Sequence, residues 1–241
     1  MINKKWIKLF SLSLVAVMMA GTITGCQVNP AEEIQKGNIT LDNNENIEMI
    51  DEDLQITTMD AYLNLDLDMF QLFGKPLSDW TYDGLLQYIS TTYEKAQVET
   101  IYDSYTGAPI YIYGNLETDK LSISVIEGQS IQVTIDGTFY NMVKTEGDYS
   151  LWTLTSYTPS AKDIVSSICG QNLKTYLDSV CPGLYDQLQE EPSVYLRDGM
   201  AMADAVNNDS QRIALCTVDG NLELWYKDGI IESLTVLFTE E

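Results

Sequence analysis

The Asp-Gly steps at Asp136-Gly137, Asp219-Gly220 and Asp228-Gly229 separate runs in which apolar and polar residues alternate. Aspartate and glycine both accept the positive φ that a tight two-residue turn demands, so each step marks an antiparallel hairpin. Around the first of them, residues 97–157 keep a period of two, with tyrosine, isoleucine and valine runs broken at Thr106-Gly107-Ala108-Pro109, Gly128-Gln129 and Gly147-Asp148. That pattern predicts a meander. The two later steps make strands near 211–218, 222–226 and 230–238 consecutive hairpins, with a further strand near 193–196.

Helical spacing frames these strands. Met59, Tyr62, Leu63, Met69, Phe70 and Phe73 recur at intervals of three and four before Gly74 and Pro76, which predicts a helix over 57–73. The alternation Leu63, Leu65, Leu67, Met69 inside it would also suit a strand. Further helices are expected at 82–93 behind Ser78 and Asp79, at 160–169 behind a Ser160/Asp163 cap, at 173–180, and at 182–190 opened by Pro182. Helices, strands, helices and strands in that order predict an α+β fold, with helices packed on antiparallel meander sheets and two tandem αβ modules at 57–158 and 159–241. Leu72 to Trp80 aligns with Ile168 to Tyr176 at a period near 96, with the glycine and one leucine identical.

The amino-terminal segment has a different character. Lys4, Lys5 and Lys8 precede an apolar stretch from Leu9 to Ala20, and the small residues Gly21, Thr22, Thr24 and Gly25 lead into Cys26. The apolar run lacks a 3.6-residue polar face and falls short of the roughly 20 residues that span a bilayer. This arrangement resembles a bacterial lipoprotein signal peptide with its lipobox. The resemblance implies cleavage after Gly25, diacylglycerol on the Cys26 sulfur, and a body anchored by two acyl chains at the extracytoplasmic face of the cell membrane. Residues 26–56, rich in Asn, Asp and Glu, are read as an acidic flexible linker. The body is loosely similar to the tandem helix-helix-sheet modules of exported bacterial proteins, the β-lactamase-inhibitor-like group among them.

Charge limits the partners. The chain has 13 basic and 36 acidic residues for a net charge of −23, and loss of residues 1–25 removes three lysines and no acid. Such a field repels phosphate backbones, so nucleic acid is not an expected partner. Envelope glycan, peptide or another exported protein is.

Chemistry is limited by what the sequence lacks. Histidine is absent, which removes the usual general base and the His-assisted nucleophiles. No GxSxG elbow, phosphate loop, dinucleotide fingerprint or CxxC pair occurs, so the chain reads as a non-catalytic surface binding module without cofactor or metal. Asp42, Asn44, Asn46 and Asp53 echo a calcium loop but lack its central glycine and final glutamate. Three thiols beyond Cys26 cannot all pair; Cys169 and Cys181 lie near helix ends, where a bridge between them is the alternative in an exported protein, and burial as small thiols is the expectation. A glycan hydrolase using paired carboxylates, and an acidic spacer or inhibitor of a basic partner, stand as alternative functions.

The recognition candidates are aromatic. Tyr111 and Tyr113 share one face of their strand, and Tyr102, Tyr105, Trp80, Trp152, Tyr157 and Trp225 are further rings for sugar or peptide contact. Packing of tyrosine on a half-buried strand is the competing explanation.

Overall fold

The computed structural model describes residues 57–114, 120–146, 149–156, 163–205 and 211–239. The signal segment 1–25, Cys26, the linker 26–56, the calcium-loop echo, Tyr157, Ser160 and the expected module boundary at 158/159 lie outside the described residues.

The α+β expectation is overturned. The described chain is β-rich, with twelve strands in one mixed sheet and four α-helices of 5 to 11 residues. In chain order the strands are β1 Thr57–Thr58, β2 Gln71–Leu72, β3 Lys75–Pro76, β4 Ile101–Tyr102, β5 Pro109–Tyr113, β6 Leu121–Ile126 and β7 Ser130–Ile135. Then come β8 Thr138–Val143, β9 Tyr149–Ser156, β10 Ser193–Leu196, β11 Gly199–Ala205, β12 Gln211–Thr217, β13 Gly220–Lys227 and β14 Ile230–Thr239. The helices are α1 Tyr82–Thr92, α2 Ile164–Ile168, α3 Leu173–Val180 and α4 Leu184–Glu190.

Two meanders build the sheet, β4 to β9 and β10 to β14, and their last strands pair antiparallel with Thr153 opposite Thr235. Residues on either side of the expected module boundary therefore share one hydrogen-bonded sheet. The pair β2–β3 stands apart as a small hairpin. Within the aligned nine-residue stretches, Gly74 and Gly170 both adopt a left-handed φ, of 75° and 89°. The first lies in that hairpin and the second follows α2, so the alignment joins different elements.

No helix forms over 57–73, because its backbone is claimed elsewhere. β1 pairs parallel to β10, the Met59 amide donates to Tyr195 O, the Asn64 amide to Val180 O, and the Leu63 amide to the Asp198 carboxylate. Only a 3-10 turn, Leu67–Met69, remains, started by Asp66, whose carboxylate accepts from the Asp68 amide. The Asp68 carboxylate also accepts from the Ser78 hydroxyl.

One face of the sheet is apolar. Val125, Ile131, Met142, Trp152, Val236 and Leu222 stand in register across six strands and are all buried. Onto this face pack Leu85 and Ile89 of α1, Val165 and Ile168 of α2, Leu173 and Leu177 of α3, and Leu184 and Leu188 of α4. Each leucine or isoleucine taken from water contributes about 1.5–3 kcal/mol, which is why short helices hold here. The opposite face carries Ser124, Gln132, Asn141, Thr153, Thr235 and Glu223 in one register row.

Among the described residues no helix is long and apolar enough to cross a membrane. Cys169, Cys181 and Cys216 are buried, and Cys169 and Cys181 are free thiols.

Candidate binding surface

The tyrosine surface arises at the β4 end of the sheet. Tyr102 pairs with Pro109, so period-two alternation puts Tyr102, Tyr111 and Tyr113 on one face, the face that carries the helices. Tyr111 and Tyr113 are half-buried against the core while Tyr102 is 61% exposed.

A carboxylate organises the loop beside them. Asp103, 7% exposed, accepts hydrogen bonds from the Tyr105 amide at 3.1 Å, the Thr106 amide at 2.9 Å and the Thr106 hydroxyl at 2.8 Å. Its own amide donates to Ala108 O and its carbonyl accepts from the Gly107 amide, closing the turn between β4 and β5. The Thr106 hydroxyl bond and then the Thr106 amide hold the Asp103 carboxyl below its ordinary pKa. The loop so fixed presents Tyr105 at 71% exposure, three residues after Tyr102.

Tyr111 is clasped at both ends. Its hydroxyl donates to Glu127 at 3.2 Å, and the Lys95 ammonium stands 3.6 Å from the centre of its ring. The negative charge of Glu127 is the main cause of a raised Tyr111 pKa, to which the neighbouring Tyr113 and Tyr102 hydroxyls add. Lys95 reaches this position because its backbone bridges Tyr113 and the Ala96 amide donates to Ile112 O.

The tryptophans go elsewhere. Trp80 is 5% exposed, donates from Nε1 to Leu72 O at 3.1 Å, and packs on Tyr88, with the Lys75 ammonium 4.4 Å from its ring. Trp152 is fully buried in the middle of the sheet. Trp225 lies half-buried on the opposite face, donating to Thr235 Oγ1 at 3.1 Å with the Arg212 guanidinium 5.7 Å from its ring. Arg212 bonds Glu223 and Asp204; burial pushes the Glu223 carboxyl up, against the pull of Arg212.

Of the sequence candidates, the fold thus joins Tyr102, Tyr111 and Tyr113 on one face with Tyr105 in the adjoining turn, and places Trp80, Trp152 and Trp225 elsewhere. Lys95 and Glu127 escaped the sequence reading, being 16 residues before and after Tyr111 with no motif linking them. Among the described residues no group of three or more His, Cys, Asp or Glu could hold a metal ion.

No protein-family model, curated protein or solved structure matches this chain.

Proposed function

We propose that the chain is a membrane-anchored surface lipoprotein that acts as a non-catalytic binding module. The anchor is read from the lipobox ending at Cys26, and the binding surface from the tyrosines at the β4 edge. The observation that carries the reading is the gathering of Tyr102, Tyr105 and Tyr111 on and beside one sheet face, two of them more than half exposed. Exposed tyrosines give contact area with only two side-chain torsions to freeze, the economy that recognition surfaces exploit.

The non-catalytic part of the reading is supported by the engagement of two carboxylates near the rings. Among the described residues, Glu127 is engaged by Tyr111 and Asp103 by its own loop. A carboxylate-pair glycosidase needs two such groups about 5–9 Å apart and free to act on substrate.

The test has two parts. Mass spectrometry of protein made in a lipoprotein-processing bacterium is expected to find acylated Cys26 as the first residue; an unmodified amino terminus ahead of residue 26 overturns the anchor. Binding of the full-length protein to envelope material is expected to saturate and to be lost in Tyr102→Ala/Tyr105→Ala. Binding unchanged in that variant overturns the surface.

A further inference from the structure

We infer that the Tyr102–Tyr111 surface receives a lysine or arginine side chain from a partner polypeptide, and that Lys95 fills this position from within until the partner displaces it. The inference rests on the reading of the same surface as a binding site and names its ligand. The geometry is that of a cation site already holding a cation: an ammonium centred 3.6 Å above a tyrosine ring whose hydroxyl is tied to a carboxylate. An aromatic face attracts a cation within about 6 Å of its centre.

Lys95 is weakly held. Its side chain is exposed, and among the described residues no carboxylate lies within salt-bridge distance of it, so the Tyr111 ring is its principal contact. An exposed cation–π contact is worth a factor of about 2 to 5 in an equilibrium constant, which a partner cation can outbid by adding Glu127 and the open Tyr102 ring. A flat sugar is disfavoured at the same place, because the face of Tyr111 on which it would stack is capped by the ammonium. The net charge of −23 works in the same direction by drawing basic partners toward the body.

The probe is a labelled octalysine peptide titrated into the full-length protein in detergent, with a neutral N-acetylglucosamine oligomer in parallel. Lys95→Met is expected to tighten octalysine binding about 2- to 5-fold. Lys227→Met, which removes the same charge at the β13–β14 hairpin, reports the general field and is expected to change it less. Glu127→Gln and Tyr111→Leu are expected to weaken binding several-fold, and Asp228→Asn, a carboxylate lost far from the site, to do so less; leucine keeps apolar packing where Tyr111 rests on the core. Lys95→Met no tighter than Lys227→Met, or Glu127→Gln no weaker than Asp228→Asn, overturns the inference. Tyrosine-dependent binding of the neutral oligomer alone would overturn the inference and leave the binding-module reading standing. Loss of tyrosine dependence with both probes and with envelope material would remove both.

Discussion

The Tyr140 hydroxyl donates to the Asp163 carboxylate across 2.8 Å, tying β8 to the amino terminus of α2. The other oxygen of Asp163 accepts from the Val165 amide at 2.7 Å, so one side chain both caps a helix and pins it to the sheet. The Ser166 hydroxyl adds bonds to Thr138 and Ser156 from the same helix. A five-residue helix has almost no stability of its own, and these bonds fix its place. Tyr140→Phe is expected to cost about 1 kcal/mol and Asp163→Ala about 2 kcal/mol, since the second removes the cap as well. In urea unfolding the double variant should cost clearly less than the sum of the two. Strict additivity would show that the bond carries no stability.

Buried tyrosines set an alkaline limit. Burial pushes Tyr176 up to about 12, and Tyr140 is raised further by burial and by Asp163. A raised folded-state pKa means that the native chain keeps protons which the unfolded chain releases near pH 10, so stability is fully present below about 10 and falls as pH rises beyond it. Absorbance at 295 nm is expected to fall short of the 15 tyrosines until cooperative unfolding exposes the rest. A single smooth titration of all of them in the folded protein would contradict this burial.

Two glycines are required by strand contact. A Cβ on Gly199 would stand 2.0 Å from Cys216 O, and one on Gly220 2.1 Å from Leu237 O, both backbone atoms that cannot move aside. Gly170 has a left-handed φ of 89° but nothing within 4 Å of where a Cβ would stand. Gly199→Ala and Gly220→Ala are therefore expected to lose at least about 2 kcal/mol, against about 1 kcal/mol for Gly170→Ala. Thermal midpoints of the three variants should rank in that order.

These glycines also explain where the sequence misleads. At Asp219-Gly220 the turn residues are Val218 and Asp219, while Gly220 has already entered β13 opposite Thr217. Arg197-Asp198 turns in the same way before Gly199, so Asp198-Gly199 was the available sign of β11. The strand Gly-Met-Ala-Met-Ala-Asp-Ala is poor in β-formers and takes its conformation from β10 and β12 on either side. Asp136-Gly137 and Asp228-Gly229 do form their turns, with both aspartates at positive φ, and α3 spans the expected 173–180. Local chemistry was legible in the chain. The loss of the 57–73 helix was not, because its partners lie more than 100 residues away. The site was half legible: alternation placed Tyr111 and Tyr113 together, but no local pattern separates a buried tryptophan such as Trp152 from an exposed ring.

Phe73 sets two effects against each other. It occupies φ 53° at the tip of the β2–β3 hairpin, a conformation that costs a bulky residue about 1–2 kcal/mol. Its ring lies 5.1 Å from Tyr88 and 5.8 Å from Tyr93, and such contacts contribute about 0.5–1.5 kcal/mol each beyond burial. Packing exceeds strain by this reckoning. Phe73→Asn, which relaxes the backbone and deletes the ring, is expected to destabilise by about 1 kcal/mol. A stabilised variant in chemical denaturation would mean that the ring contacts are worth less than the strain.

Asp103 connects stability at the sheet edge to binding. Its three accepted hydrogen bonds hold the Tyr105 and Thr106 backbone, and they favour the ionised carboxylate, lowering its pKa. A depressed folded-state pKa contributes stability that is present above about 3.9, the unfolded value, and is lost as pH falls through the folded one. Asp103→Ala should cost about 1–2 kcal/mol, with faster amide exchange at Tyr105 and Thr106 and little change at α3. Because the loop then has to be ordered when a ligand docks, affinity at the tyrosine surface should fall several-fold while Tyr102 itself is intact. Unchanged amide exchange together with unchanged affinity would show that Asp103 neither orders this loop nor prepares the surface beside it.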